Sequence, residues 1–362
     1  MEGWVSAQRG FFDLDERYAA LSAAGDPLEK LGRLIDFELF RGDLDVALQR
    51  SDGSKGGRPP LDAVMMFKVL ILQTLYGLSD AQTEFQILDR RSFGRFLGLD
   101  DGDNTPDETT IWRFREALVR ANAIEALFAR FDTHLKALGY LAMGGQIVDA
   151  SIIAAPRQRM TDEERAIVKD GGIPEAWAGK PARLAQKDRD ARWTLKRGRR
   201  KKGPDGKLLA EIATPMFGYK SHIGIDQRHG FIRTWSTSDA ARYDGRELTG
   251  LIDPANTGSS IWADTAYRSQ KNERAILRAG RVSKIHFRRS PGKPLPAPRQ
   301  RANAARSKVR SAVEHVFATQ KHRMSLFIRT IGIERAKAKI GLANIAFNFK
   351  RFLYWESRPA AT

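Results

Sequence analysis

The stretch Gln146-Ile147-Val148-Asp149-Ala150-Ser151-Ile152-Ile153 is β-branched and apolar, as in a central strand covered on both faces. One residue stands out in it. Asp149 puts a carboxylate where such a strand holds apolar side chains, and burying an ionised carboxylate is costly unless it is paired or binds a cation. The change of pattern falls at Gly144. Everything before it reads as helical, and everything after it alternates strand and helix.

Upstream, Pro59 and Pro60 precede an apolar stretch from Leu61 to Tyr76 that stops at Gly77, and Ser79-Asp80-Ala81-Gln82 has the spacing of a capping box. This predicts a helix, a tight turn and a second helix to about Leu88. Asp107 or Thr109 then caps one longer helix. In it Ile111, Phe114, Leu118, Ile124, Leu127, Phe128, Phe131 and Leu135 recur at helical spacing, and Gly139 ends the run.

Downstream, Pro156 to Pro215 is charged and irregular apart from a short helix opened by Thr161-Asp162-Glu163-Glu164. Strands follow at Phe217 to Asp226 and Phe231 to Ser236 around a Gln227-Arg228-His229-Gly230 turn. A helix within Arg246 to Ile252, a strand Ser260 to Asp264, a helix Ser269 to Ala279 and a strand Val282 to Phe287 come next, then helices from about Ala304. The order implies an α+β or α/β mixed sheet of five strands with flanking helices, preceded by an all-α region. The expected boundaries are 1–143 for the helical N-terminal domain and 144–355 for the sheet domain. A basic insertion spans about 155–213, and 356–362 form a tail.

The 362 residues include 61 Lys+Arg and 43 Asp+Glu, a formal charge of +18 that points to a polyanionic partner. The charge is uneven. Met1 to Val148 holds 17 basic and 23 acidic residues, whereas Arg281 to Thr362 holds 19 and 3. Arg157 to Ala210 is also basic, and its run Arg197, Arg199, Arg200, Lys201 and Lys202 suits either a solvated loop or phosphate contact. The basic stretches lack the apolar face of a membrane-surface helix, so nucleic acid is the expected partner and a membrane is not. The absence of Cys excludes a disulfide scaffold, Cys-ligated metal and a thiol nucleophile, and fits a cytoplasmic setting.

Two more acids share the oddity of Asp149. Asp264 closes the apolar strand Ile261-Trp262-Ala263, and Glu314 is the single acid among 12 basic residues from Arg281 to Arg323. On a helix, Arg310, Glu314 and Lys321 share one face. An Arg310/Glu314 surface pair is the plain alternative, worth only about 0.3–0.5 kcal/mol. Two Asp on strands and a Glu on a later helix suit hard cations, Mg²⁺ or Mn²⁺, and a two-ion phosphoryl displacement. Arg310 and Lys321 would then hold phosphate.

These residues resemble the IS5 group of insertion-sequence transposases, within the IS4-like DDE superfamily. Val148-Asp149-Ala150-Ser151 is similar to the first acidic block and Trp262-Ala263-Asp264-Thr265-Ala266-Tyr267-Arg268-Ser269 to the second. Arg310, Glu314 and Lys321 match the family pattern Tyr-x2-Arg-x3-Glu-x6-Lys, with Ser307 in the place of Tyr. Weaker likenesses lie in Asp188-Arg189-Asp190-Ala191-Arg192-Trp193, Phe217-Gly218-Tyr219-Lys220-Ser221-His222, and Tyr76-Gly77-Leu78-Ser79-Asp80 with Arg90-Arg91-Ser92-Phe93. The resemblance implies an RNase H-like catalytic domain with Asp149, Asp264 and Glu314 as catalytic metal ligands. It also implies Mg²⁺-dependent cutting at terminal inverted repeats, 3′-end joining to target DNA, and a homodimer or larger homo-oligomer on double-stranded DNA near the bacterial nucleoid.

Expected DNA contacts are Arg310, Lys321, Ser307, Arg192, Trp193, Lys220, the run from Arg197 to Lys202, and Arg113 and Arg115. Trp193 is open to base stacking or to ordinary packing. The helix opened by Thr109, Thr110 and Trp112, with Arg113 and Arg115, fits a major groove, but its acidic surroundings equally suit dimerisation. His222, His229, His286, His315 and His322 show no paired metal spacing and read as polar or DNA-facing. The alternative to an active transposase is a domesticated DNA-binding protein or a nuclease of the same fold.

Overall fold

The computed structural model describes residues 13–49, 60–100, 102–197, 213–290 and 292–358. From Asp13 to Ala137 every described regular element is helical: α1 (Asp13–Ala23), α2 (Pro27–Leu34), a 3₁₀ turn (Phe37–Phe40), α3 (Arg41–Leu48), α4 (Ala63–Tyr76), α5 (Asp80–Asp89), α6 (Arg91–Leu97), α7 (Glu108–Arg120) and α8 (Ala123–Ala137). Asp62 caps α4 and Gly77 ends it in the left-handed region at φ 66°. Ser79 and Gln82 form the expected reciprocal capping box on α5. The long helix expected after Asp107 is two helices. Asn122 takes φ 50°, a conformation that Asn tolerates better than most side chains, and the chain turns there between α7 and α8.

The remaining elements are β1 (Gln146–Ala154), α9 (Asp162–Lys169), α10 (Glu175–Ala178), α11 (Pro181–Ala185), β2 (Arg192–Arg197), β3 (Ala213–Asp226), β4 (Ile232–Asp239), α12 (Leu248–Leu251), β5 (Ser260–Trp262), α13 (Gln270–Arg278), β6 (Val282–Ser283), α14 (Ala297–Ala318) and α15 (Ile333–Glu356). Short 3₁₀ turns at Asp244–Arg246 and Thr265–Tyr267, and a π turn at Thr319–Arg323, complete them. The sheet runs β2-β3-β1-β5-β6 with β4 also paired to β3. β1/β3, β2/β3 and β3/β4 are antiparallel, whereas β1/β5 and β5/β6 are parallel. The outcome is a mixed α+β architecture.

Among the described residues the sheet has six strands where five were expected. The additional strand, β2, is charged and largely exposed, with Leu195 60% exposed, so no apolar alternation marks it; backbone pairing with β3 makes the strand. β5 stops at Trp262 because the Asp264 carboxylate folds back to accept from the Ala266 N–H at 2.7 Å and starts a 3₁₀ turn. β6 is only two residues long, although the Lys284 and His286 N–H groups still reach Ile261 O and Ala263 O at 2.8 and 3.0 Å.

Successive strand residues face opposite sides of the sheet, and β1 serves two cores. Val148 joins Ile261, Ala263, Leu248, Leu251 and Ile276 under α12 and α13. Ile147 and Ile153 join the larger core, which also contains Phe67 of α4, Phe131 of α8, Val313 of α14 and Phe349 of α15. Helix α15 is therefore buried by both the N-terminal helices and the sheet. Gly341 permits this approach, because a Cβ there would lie 2.5 Å from Ile124 Cγ2 and 2.8 Å from Trp235. The Asn348 side chain bonds both the N–H and the C=O of Ile232 at 2.9 Å, which ties α15 to β4. No single described helix is long and apolar enough to cross a membrane.

Candidate active site

Strand alternation decides where the first acid points. Asp149 and Ser151 lie on the same side of β1 as Ile147 and Ile153, toward α14 and away from α13. In the β1/β5 register Gln146 is level with Ile261 and Ile147 with Trp262. Continued two residues, that register sets Asp149 beside Asp264, one strand spacing of about 4.8 Å away. The two acids thus come near one another on one face of the sheet, Asp149 within β1 and Asp264 just past the carboxyl end of β5.

Helix α14 crosses above them, with Val313 and Val316 buried in the core. From this helix Arg310 Nη1 donates to Asp149 Oδ2 at 2.5 Å, and Arg310 Nη2 lies 3.5 Å from Glu314 Oε1. About two turns beyond Glu314 the π turn brings Lys321 Nζ to Ser151 Oγ at 2.6 Å. This π turn, Thr319–Arg323, closes α14 and carries Lys321 toward β1.

Electrostatics mark the same spot. Burial pushes the Asp149 carboxyl up to about 7, against the pull of the Arg310 charge and the Ala150 N–H, while Asp264 and Asp244 add to the rise. Burial lowers the Lys321 ammonium to about 8, with Lys196 contributing. The Tyr267 hydroxyl is buried, has no hydrogen-bond partner among the described residues and is pushed well up by burial and by Asp149, Asp244 and Asp264. Three carboxylates therefore influence one another here, and among the described residues Asp149 pairs with Arg310 and Asp244 with Lys220, whereas Asp264 has no ion pair.

In donor chemistry and placement Asp149 and Asp264 suit a hard divalent cation. Glu314 does not converge with them: its side chain is 65% exposed and faces Arg310. Among the described residues no three His, Cys, Asp or Glu side chains are gathered closely enough to hold a metal.

The expected DNA contacts separate into groups. Arg310 and Lys321 stand at the acids, and Ser307 is exposed on α14, 3.4 Å from His286 Nε2. Lys220 is turned inward, bonded to Asp244 at 2.7 Å and to Arg242 O at 2.6 Å. Arg192 donates to the carbonyls of Arg189, Ala191 and Val168 and so fastens the insertion. Arg115 is held by Asp80 through bonds of 2.6 and 2.7 Å. Arg113 is exposed on α7, and Trp193 is 37% exposed, its ring 5.4 Å from Phe217 with the Arg157 guanidinium 5.9 Å above it. Arg197 ends β2, and its side chain lies outside the described residues, as do Arg199, Arg200, Lys201 and Lys202.

Of the histidines, His222 is not DNA-facing. It is fully buried, bonded to Ser238 Oγ at 2.8 Å, and burial lowers it to about 4. Asp244 is a member of the acidic group that sequence reasoning missed. It lies in a 3₁₀ turn without periodicity, and only the fold brings it near Asp149. Tyr267 carried a signal, standing three residues after Asp264 within the second block.

Residues 142–349, which hold all three sequence-predicted acids, match the family model described as "Transposase DDE domain". The chain belongs to the DDE transposase family. Residues 15–117 match a second model, "Transposase domain (DUF772)". No solved structure matches the chain. The transposase is accordingly an enzyme that acts on DNA, in a family that typically uses divalent metal ions.

Proposed function

We propose that this transposase, of the IS5 group, binds the terminal inverted repeats of an insertion sequence, cuts them, and joins the 3′-ends to target DNA. The observation that carries the reading is the meeting of Asp149 and Asp264 on one sheet face beneath Arg310 of α14. The strand order β4-β3-β1-β5-β6, with antiparallel neighbours on one side of β1 and parallel ones on the other, supports an RNase H-like domain. In this reading Asp149, Asp264 and Glu314 hold Mg²⁺, for which Mn²⁺ can substitute. The bound ions supply Lewis-acid stabilisation and an activated water or 3′-hydroxyl.

The protein's own groups do the rest. Arg310, once released from Asp149, is free to meet a DNA phosphate, and Glu314 on the same helix is free to turn inward. Lys321 lies beside Ser151 on the same strand face and adds a second cation for the backbone. The helical region 1–143 reads the DNA ends or pairs two copies of the enzyme, and region 144–355 carries the chemistry.

The test is cleavage of a duplex bearing the element's own inverted repeat in the presence of Mg²⁺. Asp149→Asn, Asp264→Asn and Glu314→Gln should each abolish cutting while duplex binding persists. Cutting unaffected by these changes overturns the assignment.

A further inference from the structure

Away from the acidic site, a cavity of about 160 Å³ lies between α5, α7, α15 and the loop that precedes α15. Such a space admits one phosphate group and its nearest waters. Its walls bring together residues that sequence separates widely. Asp80 comes from α5, Arg115 and Glu116 from α7, Arg329 and Thr330 from the loop, and Arg335 and Lys339 from α15.

The charges in this cavity do not balance. Asp80 is already claimed by Arg115 through two bonds of 2.6 and 2.7 Å, and Glu116 by Arg335 through contacts of 2.8 to 3.0 Å. Among the described residues Arg329 and Lys339 have no carboxylate within ion-pair distance. Thr330 Oγ1 is buried on the same wall without a hydrogen-bond partner. Lys339, the exposed Arg329, whose guanidinium lies 5.5 Å from the Phe327 ring, and one hydroxyl donor thus line the cavity without an anionic partner among the described residues. Lys339 feels this directly: burial and the neighbouring Arg115 and Arg329 lower it to about 8, although Asp80 pulls the other way. A poorly solvated cation such as Lys339 and a buried hydroxyl without a partner are costly, and a dianion with several acceptor oxygens satisfies both at once.

We propose that this cavity is an anion site, separate from the acidic centre, that binds a phosphate monoester through Arg329, Lys339 and Thr330. A surplus of two charges matches a terminal phosphate better than an internal diester, which carries one. The ligand is carried either on the 5′-end of a DNA strand or on a small phosphorylated molecule. The DNA source rests on the function proposed above, but the site itself does not, because phosphate binding is read without cleavage.

Inorganic phosphate is the first probe. It should raise the melting temperature of the full-length transposase more than chloride does at equal ionic strength. Lys339→Met and Arg329→Gln should each weaken that affinity by about tenfold or more, the factor lost with one hydrogen bond to a charged group. Arg329 is exposed, so its variant keeps the test sound if Lys339→Met does not fold. Absence of a phosphate-specific shift in the wild type, or an equal shift in both variants, overturns the site. Duplexes with and without a 5′-phosphate then distinguish the sources. Tighter binding of the phosphorylated end, lost in Arg329→Gln, assigns DNA. Equal binding of both duplexes, with inorganic phosphate still bound, assigns a small molecule.

Discussion

Replacing Lys339 by Met should stabilise the phosphate-free protein at pH 7, against the usual expectation for a change inside a packed region. Lys339 faces Arg115 of α7, Asp80 of α5 and Arg329 of the loop, and its affinity for a proton falls from the ordinary 10.5 to about 8. At about 1.36 kcal/mol for each tenfold in proton affinity, holding the charge there costs on the order of 3 kcal/mol. Below pH 8 the folded and unfolded lysines are both protonated and the cost is felt in full. Between 8 and 10.5 the folded lysine releases its proton while the unfolded one keeps it, so the cost shrinks as pH rises. Above 10.5 both are neutral and the cost is gone. Wild type should therefore trail Lys339→Met by about 1–3 kcal/mol at pH 7 and close the gap by about 1.4 kcal/mol per pH step above 8. Urea midpoints of both proteins at several pH values, in chloride without phosphate, measure this. A variant less stable than wild type at pH 7, or a gap that does not change with pH, refutes the reasoning.

Two further perturbations probe the frame that positions the acids. Gly218→Ala should destabilise by about 3 kcal/mol, because φ is +152° there and a Cβ would sit 2.2 Å from the Ile153 carbonyl oxygen, forcing β3 from β1; a thermal melt unchanged within error would count against it. Phe349→Ala should cost about 3–5 kcal/mol in denaturant unfolding, since this buried ring meets Phe37, Phe40 and Phe131 at centroid distances of 5.6, 6.0 and 4.7 Å.

What could be read from the chain follows from how locally each signal is encoded. The α5 capping box lies within four consecutive residues, and the oddity of Asp149 within eight. The break at Asn122 was hidden because the apolar residues of α7 and of α8 each keep a helical spacing, and only the six-residue step from Leu118 to Ile124, a shift of about 120° on a helix, marks it. β2 was hidden because an exposed strand needs no apolar alternation, only a partner such as β3. At the candidate site, Asp149 and Asp264 were legible as carboxylates among apolar neighbours. The outward turn of Glu314 was not, since it depends on Arg310, whose choice between two acids is made in three dimensions. Asp80 and Lys339 could not be related at all from their positions, because the cavity they share exists only once α15 has docked.

The docking of α15 sets an order of events during synthesis. Asp149 precedes its partner Arg310 by 161 residues, so at ~5–20 residues per second the acid leaves the ribosome on the order of ten seconds to half a minute before its counterion. The helix that completes the large core follows later still. Through that interval the β1 carboxylate and the α15-facing apolar surfaces of α4 and α8 lack those partners. The large core, to which α15 contributes, is therefore complete only after translation has passed α15.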